Sequence, residues 1–220
     1  MIHLYAVVDG LGELPPVAGL GDAPLERLRV EDIDVVVSDA PASAPEESDE
    51  AVLRHALVVE ELMPRSAAVL PGRLGQDFAD EDALARAVHA DADRLRSGLR
   101  RVRGCVELGL RVLRPERAAV PERPTGGAGY MRARLAEESE LERLATEIHE
   151  PLARFASASV RGGGAARSVL LEAAYLVPLD AVERFREELA RFESLRPELG
   201  FVCTGPWPPY SFAAENGERA

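Results

Sequence analysis

The sequence predicts an α+β protein of two domains built on largely antiparallel sheets. Three observations carry that expectation. Short apolar strand patterns and helical 3.6-residue patterns are interspersed along the chain. Two early strand runs are separated only by Glu31-Asp32, a hairpin spacing. Between Arg114 and Gly129, three prolines and three glycines interrupt all apolar periodicity. That break divides the chain into an N-terminal α+β domain at 1–117, a linker at 118–129, a C-terminal α+β domain at 130–205 and a Pro/aromatic tail at 206–220.

The first strand is the β-branched and apolar run Ile2 to Val8, stopped by Asp9-Gly10 and followed by a Gly/Pro-rich loop to Pro24. Leu25 to Val30 and Ile33 to Val37 form the hairpin. Residues 31 to 61 hold ten acids against one arginine, Arg54, and the stretch Pro41 to Ser48 reads as a solvated loop. A helix starts at Asp49, capped by Ser48 or Asp49, with Val52, Ala56, Val59 and Met63 as its expected apolar face and Pro64 as its end.

Ala67 to Leu70 is a short strand leading into Pro71-Gly72-Arg73-Leu74-Gly75. From Asp80 a helix carries Leu84, Val88, Leu95, Leu99 and Val102 on one side, and Gly104 closes it. The next strand alternates Val106, Leu108, Leu110 and Val112 with Glu107 and Arg111, which argues for one buried and one wet face. Beyond the linker, Leu141, Leu144, Ile148, Leu152 and Phe155 mark a long helix that Pro151 is expected to split in two. Arg161 to Gly164 is a loop, Val169 to Val177 a buried strand, Val182 to Leu195 a helix and Leu199 to Thr204 the last strand.

Acids outnumber bases 38 to 26, a formal charge of −12 that opposes binding to nucleic acid or anionic membranes. All 26 bases are arginine, which removes Schiff-base and P-loop lysine chemistry. Cys105 and Cys203 lie in strand patterns and read as reduced core thiols. No basic leader, cleavage site or membrane-length apolar run is present, so a cytoplasmic location is expected.

No catalytic, cofactor or metal set is expected. The four histidines, His3, His55, His89 and His149, lack zinc-ligand spacing. The Gly19–Pro24 and Gly126–Gly129 stretches lack the remainder of a nucleotide-binding loop. The pairs Glu46-Glu47, Glu60-Glu61 and Glu137-Glu138 read as solvated faces. Eight arginines from Arg94 to Arg117 form a basic patch, either a docking surface or a partner for the chain's own acids. The segment Thr204 to Phe212 is stiffened by proline, and Trp207 and Tyr210 either pack over a sheet as a lid, the expectation for Trp207, or form an anchor for a partner.

That ending, Gly205 to Phe212, resembles the closing signature of the gas vesicle GvpF/GvpL family. Leu4 to Val8, Val69 to Gly75 and Ala173 to Val177 followed by Phe185 agree in order. Gly127-Ala128-Gly129-Tyr130-Met131 resembles the family's entry to its second domain. Gly72, Leu74 and Gln76 depart from the family's usual Leu-Pro-Val-Arg-Phe-Gly-Thr motif. The resemblance implies a ferredoxin-like C-terminal unit and a non-enzymatic, chaperone-like assembly factor or minor vesicle component. Its implied partners are the major shell protein and other accessory proteins. The positions it singles out are Pro71, Arg73, Gly75, Tyr130, Tyr175, Gly205, Pro206, Trp207, Pro208, Pro209 and Tyr210. The competing class is a small-molecule sensor or enzyme on ferredoxin-like domains, which needs a polar pocket with facing carboxylates and a histidine.

Overall fold

The computed structural model describes residues 1–40, 48–115, 127–162 and 168–213. The acidic loop, most of the expected linker and the glycines at 163 and 164 lie outside them. The chain forms two units, Met1–Val106 with the segment from Pro206, and Glu107–Gly205.

The first unit is built on strands β1 (Ile2–Asp9), β2 (Glu26–Val30), β3 (Ile33–Asp39), β4 (Ala68–Pro71) and β5 (Asp77–Phe78). Their order is β2-β3-β1-β4, with β5 pairing the start of β1 antiparallel, Ile2 opposite Phe78. Residues 3–8 of β1 are all buried because both faces of the sheet are covered, which explains a continuous apolar run in place of an alternating one. The β2–β3 turn closes with Val30 opposite Ile33. Glu31 adopts φ 56° there, a conformation more usual for glycine.

Helix α1 (Asp49–Leu62) packs on one face, and Ser48 caps it by accepting the Ala51 N–H at 3.1 Å. Its buried residues are Ala51, His55, Val58, Val59 and Leu62, so of the expected Val52, Ala56, Val59 and Met63 stripe only Val59 is buried. Val52, Leu53 and Leu57 are exposed, so α1 is apolar on more than one side and its period alone misplaces the face. Tyr5, Val8, Leu11, Val36 and Val69 complete this half of the core.

The opposite face is covered by α2 (Glu81–Ala90) and α3 (Ala92–Val102), which bury Leu84, Val88, Leu99 and Val102. Asp80 caps α2 on the Ala83 N–H at 2.8 Å. The one helix expected here is two, because Asp91 leaves the helical region with φ −104° and ψ 9°.

The second unit runs β6 (Cys105–Leu113), α4 (Gly127–Ala153), β7 (Ala158–Arg161), β8 (Val169–Pro178), α5 (Val182–Leu195) and β9 (Gly200–Trp207). Its sheet order is β7-β8-β6-β9. A βαββαβ chain with its first and third strands central is the ferredoxin-like arrangement. Strand β6, counted with the N-terminal domain by the sequence pattern, is therefore central to this second sheet. Strand β7 has no counterpart in the sequence reading.

Val106, Leu108, Leu110 and Val112 of β6 are buried as expected, but so is Glu107, which the alternation had put on the wet face; only Arg111 is exposed there, reaching Glu172 of β8 at 2.6 Å. Helix α4 is continuous through Pro151, contrary to the expected split. The proline falls in the last turn, where it forfeits one backbone bond without leaving a following helix to redirect. Ile148 and Leu152 of α4 and Phe185 and Leu189 of α5 form the core against Tyr175 and Leu171 of β8. After β9, the short helix α6 (Tyr210–Ala213) rejoins the first unit. No described helix is long and apolar enough to cross a membrane.

Candidate functional site

The segment from Pro71 to Phe78 is tied into the first unit at several points. Pro71 pairs with Ala6 at the end of β4. The Gly72 N–H donates to the Tyr5 carbonyl at 2.7 Å, and a Cβ on Gly72 would lie 2.7 Å from the Leu4 carbonyl oxygen. Only glycine permits that approach. Gly75 turns the loop with φ 78°, Gln76 N–H reaches the Arg73 carbonyl at 3.1 Å, and the Leu4 N–H reaches Gln76 at 3.2 Å.

Beneath the loop lies a buried chain of polar contacts that sequence spacing does not reveal. His55 Nε2 is 3.1 Å from the Gly72 carbonyl oxygen, His55 Nδ1 is 2.9 Å from His3 Nε2, and His3 Nδ1 is 2.6 Å from Asp77 Oδ1. A carbonyl oxygen only accepts, so His55 carries its proton on Nε2 and accepts at Nδ1. His3 must then donate from Nε2. Its remaining nitrogen meets the Asp77 carboxylate, a contact that needs one further proton shared between imidazole and carboxyl. Burial first, and the charge of His3 second, push His55 down to about 4, in keeping with its neutral role. The Tyr5 ring stacks on His55, and its hydroxyl, raised chiefly by burial, joins Ser38 and accepts the Leu20 N–H.

A cavity of about 470 Å³ opens between this loop and α2–α3, with Leu4, Leu70, Phe78 and Leu95 on its walls and Arg73, Gln76, Asp91, Arg94 and Tyr210 around it. Among the described residues its one carboxylate is Asp91, which pairs with Arg94 at 2.5 Å, and no histidine lines it. Among the described residues this lining has no facing carboxylates. Among the described residues no group of three His, Cys, Asp or Glu side chains could hold a metal ion.

The basic patch is spent largely on internal pairs. Arg96 bonds Glu31 at 2.7 Å and Asp32 at 2.6 Å, Arg103 pairs with Asp9, and Arg114 pairs with Glu137 at 3.5 Å. Hydrogen bonds from His89 and Arg96 hold Glu31 below the usual carboxylate range, and Arg96 does the same to Asp32.

In the tail, Gly205 takes φ 107° and Pro206 and Trp207 end β9. Pro208, Pro209 and Phe212 are buried, whereas Trp207 is 42% and Tyr210 43% exposed. The expected aromatic lid is thus a proline and phenylalanine anchor, tied further by Arg101 donating to the Phe212 carbonyl at 2.5 Å. Tyr130 is exposed on α4. Tyr175 is fully buried, its ring edge-on to Phe185 and its hydroxyl 2.8 Å from His149 Nδ1.

The open edges of the two sheets differ. Strand β2 carries Glu26, Arg27 and Arg29, while β4, at the other end of the first sheet, and β7 are each only four residues long. Strand β9, at the end of the second sheet, has eight residues and no charge, and Val202, Cys203 and Thr204 are exposed. Cys203 is exposed and Cys105 half-buried, so neither is the core residue expected from the sequence.

The sequence profile of a family described as gas vesicle synthesis protein GvpL/GvpF matches residues 1–214. Gas vesicle protein L of a Streptomyces species is 31% identical over 96% of this chain and 92% of its own length. Gas vesicle protein F1 of Halobacterium salinarum is 26% identical over 82% of this chain and 76% of its own. The crystal structure of GvpF from an Anabaena species superposes with a TM-score of 0.82 at 15% identity, covering 100% of this chain and 98% of that one. GvpF from Microcystis aeruginosa gives 0.80 at 16% identity, covering 97% and 99%.

Proposed function

Because the chain belongs to the GvpL/GvpF family of gas vesicle proteins, we propose that it is an assembly factor that binds the major shell protein, and other accessory proteins, before their incorporation. It does so by accepting a strand at the open edge of β9. The observation that carries this reading is the contrast between edges: β2 is blunted by charge, while β9 is uncharged and offers the run Gly200 to Gly205 before Pro206, which cannot donate, in a chain of net charge −12. Main-chain pairing supplies affinity at such an edge, and alternate side-chain positions supply selectivity. A shell protein with a gas-facing apolar surface needs its own sticky edges covered until assembly, and a soluble acidic partner meets that need. The protein acts in the cytoplasm and at the gas vesicle, by binding and without catalysis.

The test is co-expression of tagged protein with the major shell protein, followed by co-purification in moderate salt and hydrogen exchange. Retention above an unrelated acidic control, with new protection of the amides from Phe201 to Thr204, is the expected result. Val202→Lys, which places a charge on the exposed edge, should reduce retention about tenfold or more. Retention equal to the control, or unchanged protection along β9, would overturn strand addition.

A further inference from the structure

We propose that the cavity between the Pro71–Phe78 segment and helices α2 and α3 captures an acidic peptide segment of a partner protein. A carboxylate of that segment pairs with Arg73, and an adjoining aliphatic side chain lies on Leu4, Leu70 and Phe78. This rests on the reading of the chain as a protein that holds partner polypeptides, and it adds a second point of contact, chemically unlike the β9 edge.

Three observations converge on it. The cavity of about 470 Å³ is of the size that receives a small ligand or a few side chains. Part of its floor is apolar, lined by Leu4, Leu70 and half-buried Phe78. An inorganic anion would leave that floor uncovered, whereas an aliphatic side chain beside a carboxylate fills both halves.

The second observation is the charge at the rim. Arg94 is already satisfied by Asp91 at 2.5 Å, and nearby Arg96 by Glu31 and Asp32. Arg73 is exposed and its guanidinium pairs with no acid among the described residues. An incoming carboxylate can therefore form a forked pair with Arg73 without displacing a partner among the described residues.

The third is preorganisation. The backbone of Arg73 is fixed on both sides, its N–H donating to Gln76 Oε1 at 3.3 Å and its carbonyl accepting from the Gln76 N–H at 3.1 Å. The preceding residue is held by Tyr5 and by His55. A rim arginine on a loop wired in this way loses little further freedom when it binds.

The experiment uses overlapping synthetic peptides tiling a shell protein and the accessory proteins of one gas vesicle gene cluster, probed with the full chain. Retained peptides should carry Asp or Glu beside Leu, Ile or Val. Arg73→Glu should weaken them about tenfold or more, and replacing the peptide acid by Gln should do the same. A Lys-substituted peptide should bind Arg73→Glu better than the unaltered protein. Arg73 is exposed, so Arg73→Glu should melt like the parent, and Arg73→Lys should keep part of the binding. No retained peptide, or retention indifferent to Arg73→Glu or to the Gln peptide, overturns the proposal. Val202→Lys run in parallel separates the two surfaces: it should leave Arg73-dependent peptide binding intact while reducing shell-protein retention. Loss of retention in Val202→Lys with peptide binding indifferent to Arg73→Glu sinks the cavity proposal alone.

Discussion

His3 Nε2 lies 2.9 Å from His55 Nδ1, and the Gly72 carbonyl oxygen on the far side of His55 sets the direction of that hydrogen bond. The pair joins β1 to α1 and, through Asp77 and Gly72, ties both to the cavity wall. A second proton on His55 would set two N–H groups against each other.

Stability should therefore fall on mild acidification. The folded-state pKa of His55, about 4, lies below its ordinary 6.5, so between those values the unfolded chain binds more protons. The contribution is full above pH 6.5, declines as pH falls and is gone near pH 4. A shift of this size corresponds to about 3 kcal/mol. His149, also lowered chiefly by burial, adds in the same direction. Urea midpoints at neutral pH and near pH 4.5 measure the loss, and an NMR titration placing His55 near its ordinary value would refute the cause.

Anchoring of the tail should depend on Phe212 and not on Trp207. Phe212 is 5% exposed, so Phe212→Ala should cost about 3 kcal/mol, whereas Trp207→Ala should cost about 1 kcal/mol or less. Equilibrium denaturation of both variants decides the matter; equal losses would contradict the assignment.

Two glycines of one loop should respond differently. Gly72→Ala drives a Cβ into the Leu4 and Tyr5 carbonyls and should cost about 2–3 kcal/mol. Gly75→Ala meets open space and bears only the strain of positive φ, about 1 kcal/mol. Thermal melts should rank Gly72→Ala as the more damaging.

In the second unit, Tyr175→Phe should cost about 1 kcal/mol by leaving His149 Nδ1 without its hydroxyl partner. Phe185→Ala, which empties a fully buried site, should cost about 3–5 kcal/mol. A Tyr175→Phe variant as damaged as Phe185→Ala would mean that the hydroxyl organises more than this one contact.

Elements whose environment leaves a local trace were legible in the sequence. Burial on both faces makes β1 a continuous apolar run, the apolar alternation from Val106 to Val112 marks β6 although Glu107 is buried with it, and Ser48 and Asp80 sit where exposed helix amides need acceptors. Partnership leaves no such trace, so β6 could be found but not placed in its sheet. Strand β7, Ala-Ser-Val-Arg, has one β-branched apolar residue and too short a pattern. The face of α1 was hidden by Val52, Leu53 and Leu57, which are apolar and exposed. Motif residues such as Pro71, Arg73 and Gly75 were found through resemblance. The proton-sharing contacts beneath them join residues 52 and 74 positions apart, which no spacing rule connects.

The chain leaves its first unit after Val106 and returns at Pro206, so the ferredoxin-like unit is an insertion within the other. During synthesis the ribosome delivers Pro208, Pro209 and Phe212 only after the entire inserted unit has emerged. The N-terminal sheet must wait in a nascent state without its last buried phenylalanine, and domains that otherwise fold in order of emergence are here completed in reverse. A message truncated before these residues would yield a finished insert within an unfinished host.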